Sequence, residues 1–375
     1  MSVKILEVKD KNDLNSFIYL PEKIHRSHAN WVHPLYMDEK QFFNLEKNEA
    51  FQHNRTALFL AIEDGKVSGR IMAIIPDEYN KLKNVKTARF CYFEATENKE
   101  VFEALLNRAE QWAKDAGCSL MVGPMGFSDK EPQGFLTAGY DEKTMIVTNC
   151  SFRYMKEYLE ADGYKPFVEL CQYDVPLSEQ LIQRYRAFAD RVGRNMHVTV
   201  HEFTKTSEIK PFVQSVFRLI NTTYTEIYGF TKVTEKEAED FANRFIPLLN
   251  PKLIKLITDE SGEVVAFVIG MPDLSQAIRK GRGRLFPLGW FHILRAFRNS
   301  RRLVLLLGAV KNEMQNKGLD AVLAVHLFRS ALDLGFDKMD SHLIMRKNIK
   351  MRREIERLEN HRMYKEYTIY SKELD

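Results

Sequence analysis

The most constraining feature of this sequence is an internal duplication. Residues 56–77 read TALFLAIEDGKVSGRIMAIIPD and residues 252–273 read KLIKLITDESGEVVAFVIGMPD, each an apolar strand, a tight turn and a second apolar strand. The Pro-Asp pairs that end the two segments lie 196 residues apart, and so do Met155 and Met351, which open matching helix-to-strand patterns. The chain therefore repeats one plan in two similar halves.

Within each half, the predicted order is strand, helix, hairpin, further strand, long helix, strand, helix and strand. The two long helices are predicted over 99–116 and 319–334, and a glycine follows each of them. Strands that alternate with crossover helices indicate an α/β fold with a mixed sheet.

The length of the chain also favours two domains. A single hydrophobic core stops growing at about 250–300 residues, and this chain has 375. Helical periodicity over 177–195 indicates a helix that connects the halves. We therefore expect an N-terminal domain over 1–176, a connecting helix over 177–196 and a C-terminal domain over 197–375.

Composition excludes several classes of protein. With 55 Lys and Arg against 51 Asp and Glu, the net charge of +4 is too small to indicate a DNA-binding protein. The longest apolar run, 303–310, is too short to span a bilayer, and the charged start of the chain lacks the apolar region of a signal peptide. Four cysteines without C-x-x-C spacing indicate buried thiols in a reducing compartment, so we expect a cytoplasmic protein without a metal site.

A loop that suits a phosphate group follows the apolar strand 303–310. Val310 ends the strand, Gln315 follows five residues later and Gly318 eight residues later, and a helix then begins. The first N–H groups of a helix are unpaired and carry partial positive charge, so they can bind a pyrophosphate. Gly318 lacks a β-carbon, which lets the backbone approach such a ligand closely.

This stretch resembles the acyl-CoA signature of the GNAT acyltransferases, V-x-x-x-x-[QR]-x-x-G-x-[GA], and Asn348 resembles the asparagine of a second family motif. The resemblance implies an α/β fold of two tandem GNAT-like domains, each with a mixed, mostly antiparallel sheet flanked by helices. It also implies acetyl-CoA or a longer acyl-CoA as co-substrate. The residues that it assigns to the cofactor are Ala309, Val310, Gln315, Asn316, Lys317, Gly318, Leu319, Asp320 and Asn348.

The chain departs from the family pattern at several positions. The usual general-acid tyrosine falls on Ile355. Asp320 either places a repelling carboxylate beside the expected pyrophosphate or stabilises the N-terminus of the helix. The first half has no phosphate loop, and its equivalent turn is acidic, with Glu94, Glu97 and Glu100. We therefore expect at most one CoA site, in the second half, and a degenerate first half.

The resemblance implies direct transfer, in which a neutral amine attacks the thioester while a backbone N–H near 308–310 polarises its carbonyl. A base or a water chain would take the amine proton. Asp340 and His342 share one face of a predicted strand over 337–345 and are the candidate bases, unless they are a solvated edge residue and a packed core histidine. Tyr228 is a candidate substrate contact, or else a core aromatic residue.

Two further stretches have more than one interpretation. Residues 279–302 contain eight Lys or Arg and no acidic residue, with aromatic and aliphatic side chains between them. They suit an insertion packed on its domain, a lid or peripheral contact with an anionic membrane or lipid chain, or binding to nucleic-acid phosphates. The glycine-rich loop 123–144 either forms a wall of a substrate cleft between the halves or is a structural loop.

We therefore expect a cytoplasmic N-acyltransferase that transfers an acyl group, first of all acetyl, from acyl-CoA to a small-molecule or peptide amine. One alternative is a non-catalytic binding protein with the GNAT fold, which Ile355 and Asp320 favour. Another resembles the Fem-type aminoacyltransferases, which use tandem GNAT folds and aminoacyl-tRNA donors, although the near-neutral total charge argues against it. Gly318→Glu is expected to abolish CoA binding without unfolding the chain.

Overall fold

The structure is a computed structural model that describes residues 3–146, 148–246 and 249–375. The elements of the first half are β1 (Lys4–Glu7), α1 (Lys11–Ile24), α2 (Tyr36–Phe42), β2 (Arg55–Glu63), β3 (Lys66–Ile75), α3 (Asp77–Lys83), β4 (Thr87–Ala95), α4 (Lys99–Asp115), β5 (Leu120–Gly123), β6 (Phe135–Ala138), α5 (Arg153–Ala161) and β7 (Lys165–Pro176).

The helix α6 (Glu179–Asn195) joins the halves. The elements of the second half are β8 (Thr199–Glu202), α7 (Val213–Thr223), α8 (Glu235–Phe245), β9 (Ile254–Thr258), β10 (Val264–Pro272), α9 (Ser275–Lys280), α10 (Gly289–Asn299), β11 (Arg302–Val310), α11 (Leu319–Asp333), β12 (Lys338–Asp340), β13 (Ile344–Met345), α12 (Ile349–Glu356) and β14 (Arg362–Glu373). The two predicted long helices and the predicted connecting helix are thus present as α4, α11 and α6.

The long helices form where the sequence predicts them because each has an apolar face, and α4 also has a capping residue. The Asn98 side chain accepts a hydrogen bond from the Glu100 N–H and caps α4. One face of α4, including Phe102 and Leu105, is fully buried against β2 and β3. The apolar face of α11 packs against α6 in the same way.

The strands form one mixed sheet, and its order is nearly symmetrical about its centre. Along the sheet the order is β1-β2-β3-β4-β5-β14-β7-β12-β11-β10-β9-β8, with β6 and β13 attached beside β14 and β7. Among the pairs in the described part of the chain, β4–β5 and β11–β12 are parallel and the others are antiparallel. Corresponding strands of the two halves thus occupy corresponding places.

The last strand of each half lies beside the other half. β14 pairs with β5 of the first half, where Tyr370 lies opposite Gly123, and β7 pairs with β12 of the second half, where Val175 lies opposite Met339. The two exchanged strands also pair with each other at the centre of the sheet. Each hydrophobic core is therefore completed by a strand from the other half of the sequence.

Two insertions distinguish the halves. The first half has a long connection between β5 and α5, and the second half has the α9–α10 segment between β10 and β11. The insertions lie in different halves and are of similar length. The separation of 196 residues between corresponding positions is therefore the same before and after both insertions. Within the residues described, no helix is both long and apolar enough to cross a bilayer.

Candidate functional site

The parallel pairing of β11 with β12 covers only the first part of β11. Residues 302–304 pair with residues 338–340, where β12 ends. Residues 305–310 keep β10 as a partner on the other side, and the register shift opposite Gly270 leaves Leu306 as an extra residue in β11. Beyond its paired part, β11 thus has one edge without a strand partner in the described chain.

The hydroxyl group of Tyr224, just after α7, occupies this free edge. It donates a hydrogen bond to the Gly308 carbonyl over 3.0 Å and accepts one from the Gly308 N–H over 3.3 Å. Burial raises the pKa of Tyr224 to about 12, the Gly308 backbone opposes this, and the negative charge of Asp129 adds to it. The phenol is therefore protonated at neutral pH, and the Asp129 carboxylate lies close enough to influence its pKa.

The loop 311–318 connects this edge to α11. Gly318 precedes the helix with a φ of +89°, in the left-handed region that favours glycine. The Gln315 Nε2 donates to the Val310 carbonyl over 3.2 Å, and the Lys350 Nζ on α12 donates to the Gln315 Oε1 over 3.0 Å. The loop is thus held against both β11 and α12, and the predicted phosphate-binding residues lie together.

The other predicted cofactor residues differ in which groups they can offer to a ligand. The side chains of Asn316 and Lys317 are exposed, whereas Leu319 is fully buried and has only its backbone to offer a ligand. Ala309 packs against the apolar cluster beneath α7. The Asn348 side chain accepts a backbone hydrogen bond over 3.2 Å and caps α12, so its amide group is already partly engaged.

Gly318 is also constrained by the packing of α6. A β-carbon at this position would lie 3.0 Å from the ring of Phe188 and from the Val192 side chain. The positive φ adds backbone strain for any other residue. Gly318→Glu would therefore disturb the fold as well as the loop, and it does not separate CoA binding from stability.

Two carboxyl groups meet at the first turn of α11. Asp320 hydrogen-bonds with Glu354 of α12. Burial, this hydrogen bond and the negative charge of Asp320 raise the pKa of Glu354 to about 7, against the opposing charge of Arg357. Near neutral pH Glu354 is therefore partly protonated, which lowers the negative charge beside the loop.

The strand predicted over 337–345 is interrupted between its two candidate bases. β12 ends at Asp340, His342 has a φ of +58°, and β13 begins at Ile344. The alternation that put both side chains on one face therefore does not apply. Burial lowers the pKa of His342 to about 4, so the imidazole is neutral at neutral pH.

Asp340 is the centre of a buried polar network. Its carboxylate accepts hydrogen bonds from the Gln172 amide over 2.7 Å, from the His342 backbone N–H over 3.0 Å and from the Tyr364 hydroxyl. Arg302 lies 3.6 Å away, and burial raises the pKa of Asp340 while these partners oppose the rise. Both carboxylate oxygens are thus engaged, and one of them holds the backbone of His342 in place.

The loop 123–144 of the first half reaches the second half. Arg89 on β4 donates to the carbonyls of Gly126 over 3.2 Å and Phe127 over 2.6 Å, which fixes the course of the loop. Burial raises the pKa of Asp129, whose Oδ1 is buried without a hydrogen-bond partner among the described residues. This carboxylate is the one whose charge acts on Tyr224.

Tyr228 lies at the contact between the halves. Its ring packs edge-to-face with Phe167 at a centroid distance of 5.0 Å and joins the central apolar cluster that includes Leu343. The neighbouring Gly229 is so close to Met125 that a β-carbon there would lie 1.8 Å from the Met125 Cε. Of the tyrosines in this segment, Tyr224 contacts β11 and Tyr228 contacts the first half.

In the first half, the connection between β4 and α4 corresponds to loop 311–318, but it is much shorter. Residues 96–98 alone join β4 to α4, and Asn98 satisfies the N–H of Glu100 over 2.9 Å. The helix N-terminus is thus closed by its own cap rather than by an open loop. In the described parts of the chain, no group of three or more His, Cys, Asp or Glu residues is arranged to hold a metal ion.

Tyr224 and Asp129 could not be predicted as site residues from the sequence. Tyr224 lies in the aromatic stretch 224–230, where no local pattern distinguishes it from Tyr228. Its contact with Gly308 depends on the divergence of β11 from β12, which is a tertiary feature. The glycines and prolines of loop 123–144 indicated a possible wall of the cleft, but nothing in the sequence indicated that Asp129 lies close to Tyr224.

Comparison with known proteins extends over the whole chain. No family model matches it. Over 99% of its length the chain is 26% identical to a protein named bacterial ceramide synthase from Caulobacter vibrioides, of which the alignment covers 98%. Over 97% of its length it is 25% identical to protein YghO from Escherichia coli, of which 94% is covered.

The solved structures confirm the predicted architecture. The chain superimposes on a tandem GNAT protein from the clavulanic acid biosynthesis pathway with a TM-score of 0.55, at 9% identity. The match covers 100% of this chain and 99% of that protein. The chain therefore has the tandem GNAT fold, with the large, mostly antiparallel mixed sheet that the sequence predicted.

Proposed function

We propose that this chain, with its tandem GNAT fold, is an acyl-CoA-dependent N-acyltransferase that acylates the primary amine of a long-chain amino alcohol. The relative named bacterial ceramide synthase supports this acceptor class, because a ceramide is the N-acyl derivative of such an amine. The similarity spans both proteins almost completely. A long-chain acyl-CoA, rather than acetyl-CoA, is the corresponding donor.

The observation that carries the proposal is the free edge of β11 at Gly308. Backbone groups at an unpaired strand edge bind an extended ligand as they would bind another strand. The amide groups of pantetheine have the required donors and acceptors and would replace the Tyr224 hydroxyl at Gly308. The pyrophosphate would then reach the loop 311–318, where the N-terminal end of α11 and Lys317 favour an anion.

The direction in which pantetheine would run along β11 determines where the acyl group would lie. With the phosphates at the loop, pantetheine would run back towards the point where β11 and β12 diverge, and the thioester would lie near Leu306. A backbone N–H there would donate to the carbonyl oxygen as it gains negative charge in the transition state. In the reaction, the amine nitrogen forms a C–N bond with the carbonyl carbon and the C–S bond breaks to release CoA.

The proton of the attacking amine needs an acceptor, and His342 is the proposed one. Its imidazole is neutral at neutral pH, and the residue lies two positions after the end of β12, at the same point of divergence. Asp340 would act as a positioning residue, because its carboxylate accepts the His342 backbone N–H and is otherwise fully engaged. The amine proton would pass to His342 directly or through water, and the departing thiolate would take up a proton.

A transfer assay on the full chain tests the proposal. The purified protein is incubated with palmitoyl-CoA or acetyl-CoA, each with sphinganine or with a short amino alcohol. Free CoA is followed by thiol release, and the N-acyl product is identified by mass spectrometry. We expect N-palmitoyl-sphinganine as the main product, with much slower reaction for acetyl-CoA and for the short amine.

Other results would contradict a particular part of the proposal. A main product formed from acetyl-CoA would contradict the long-chain donor. Thiol release that is fastest with the short amine would contradict the acceptor class. Tight acyl-CoA binding without product from any amine would favour a non-catalytic binding protein, and no binding at all would contradict the site.

A further inference from the structure

An exposed apolar segment over 286–294 lies outside the site described above. Its large apolar side chains face water, with exposed fractions of 79% for Phe286, 64% for Leu288, 48% for Trp290, 50% for Phe291 and 54% for Leu294. Single exposed apolar residues are ordinary on protein surfaces, but a contiguous group indicates a surface that binds another molecule.

The base of this segment is fixed to the first half of the protein. The Gly283 carbonyl accepts a hydrogen bond from the Tyr36 N–H over 3.0 Å, and Arg284 forms an ion pair with Glu22 over 2.6 Å. A β-carbon on Gly289 would lie 1.8 Å from the Arg284 carbonyl, so the turn before α10 is tightly packed. The exposed side chains thus project from an anchored turn and helix rather than from an unattached loop.

The charges around the segment are of one sign. Residues 279–302 hold eight Lys or Arg and no acidic residue. Three of the eight, Arg284, Arg301 and Arg302, form ion pairs with acidic residues from elsewhere in the chain. The other five are exposed and have no ion-pair partner among the residues described: Arg279, Lys280, Arg282, Arg295 and Arg298.

An anionic bilayer surface matches both features at once. Aromatic and aliphatic side chains insert at the boundary between headgroups and acyl chains, while Lys and Arg pair with anionic headgroups. RNA would neutralise the charges but would leave Leu288 and Leu294 in water. α10 has 11 residues, which is too short to cross a bilayer, so it would lie along the surface.

We propose that residues 279–302 dock this chain on an anionic lipid bilayer. Segment 286–294 would insert into the interface, and the five unpaired cations would lie against the headgroups. The proposal goes beyond the proposed function and does not depend on it, because docking is measured without donor or acceptor. Docking would also explain how an enzyme of this fold reaches a long-chain amine that resides in a membrane.

Sedimentation of the full chain with lipid vesicles tests the proposal. One set of vesicles contains phosphatidylcholine alone, and the other contains phosphatidylcholine with phosphatidylglycerol. We expect the protein to sediment with the anionic vesicles, to be released by added salt, and to remain in solution with the neutral ones. The indole emission of Trp290 should shift to shorter wavelength on binding, because the exposed ring enters an apolar layer.

Two double variants separate the apolar and charged contributions. Trp290→Ser with Leu294→Ser removes two inserted side chains, and Arg295→Glu with Arg298→Glu reverses two unpaired charges. Each should weaken binding to anionic vesicles by at least about tenfold. Because all four residues are exposed on α10, each variant should keep the melting temperature of the parent protein.

The matched control lies on α3, far along the chain from this segment. Leu82→Ser with Lys83→Glu removes a side chain that is 77% exposed and reverses a charge, and it should leave vesicle binding unchanged. Equal binding by the wild type and both α10 variants would overturn the proposal, as would no binding to anionic vesicles. Preferential binding to tRNA that the Arg295→Glu, Arg298→Glu variant loses would overturn it in favour of an RNA surface.

Discussion

Tyr224 and Gly308 are joined by two hydrogen bonds, in which the phenol donates to the carbonyl and accepts from the N–H of the same residue. In a strand, the N–H and C=O of one residue point to the same side, so one ligand group can satisfy both. These are also the groups that a pantetheine amide would use. The contact therefore marks the proposed donor position, and it has to open before the donor binds.

Tyr224→Phe tests this competition. Removing the hydroxyl removes a net contribution of about 0.5–1.5 kcal/mol from the ligand-free state, so acyl-CoA should bind roughly two- to tenfold more tightly. Titration calorimetry with a long-chain acyl-CoA measures the change. Tyr228→Phe is the control, because the Tyr228 ring packs against Phe167 of the first half. Unchanged or weaker binding by Tyr224→Phe would contradict the proposed competition.

Lys317→Glu tests the phosphate loop without the strain expected at Gly318. Lys317 is exposed, so the change reverses a charge at the surface and disturbs no packing. At low ionic strength we expect acyl-CoA affinity to fall by at least about tenfold, because like charges then face each other at close range. The control is Lys81→Glu on α3, which is equally exposed. Equal affinities in the two variants would place the phosphates elsewhere.

The pKa of Glu354, which burial and Asp320 raise to about 7, predicts a pH dependence of binding. Below that pH Glu354 is mostly protonated, whereas above it Glu354 adds a negative charge beside the loop. Acyl-CoA affinity should therefore fall as the pH rises from about 6 to about 8. Glu354→Gln should bind with a flatter pH profile than the parent protein. The same slope in both proteins would refute the assignment.

Asp340 and His342 should respond differently to truncation. Asp340→Ala leaves Gln172, Tyr364 and Arg302 without their buried partner, and we expect a loss of about 3–5 kcal/mol in the free energy of unfolding. His342→Ala should cost less stability than Asp340→Ala but lower the turnover rate by roughly 10²–10⁴-fold. Denaturant unfolding and the transfer assay measure the two effects. Normal turnover in a folded His342→Ala variant would exclude it as the base.

Local sequence signals predicted most of the elements but not the exchange of the last strands. α4 could be predicted because Asn98, its apolar face and the following glycine lie within one continuous stretch. β7 and β14 could be predicted as strands for the same reason. Periodicity along one strand shows which face is buried but not which strand lies beside it, so the pairing of β14 with β5 had no sequence signal.

Parts of the candidate site could be predicted from local sequence, and other parts depend on the tertiary fold. The loop at Gly318 was predictable because a strand, a loop that ends in a glycine and a helix start lie in one continuous stretch. The broken strand at His342 was not, since its φ of +58° lies at a break in the pairing with β7, which periodicity along the chain does not reveal. Tyr224 and Gly308 are 84 residues apart, and only the tertiary fold brings them together.

Acyl-CoA is proposed to bind along the free edge of β11 in the second half. Hydrogen–deuterium exchange of the full chain, with and without saturating long-chain acyl-CoA, can locate the binding site. We expect slower amide exchange across residues 305–319 and no change across residues 96–98, the corresponding connection in the first half. Protection of the first-half connection, or unchanged exchange across 305–319 with the ligand bound, would contradict it.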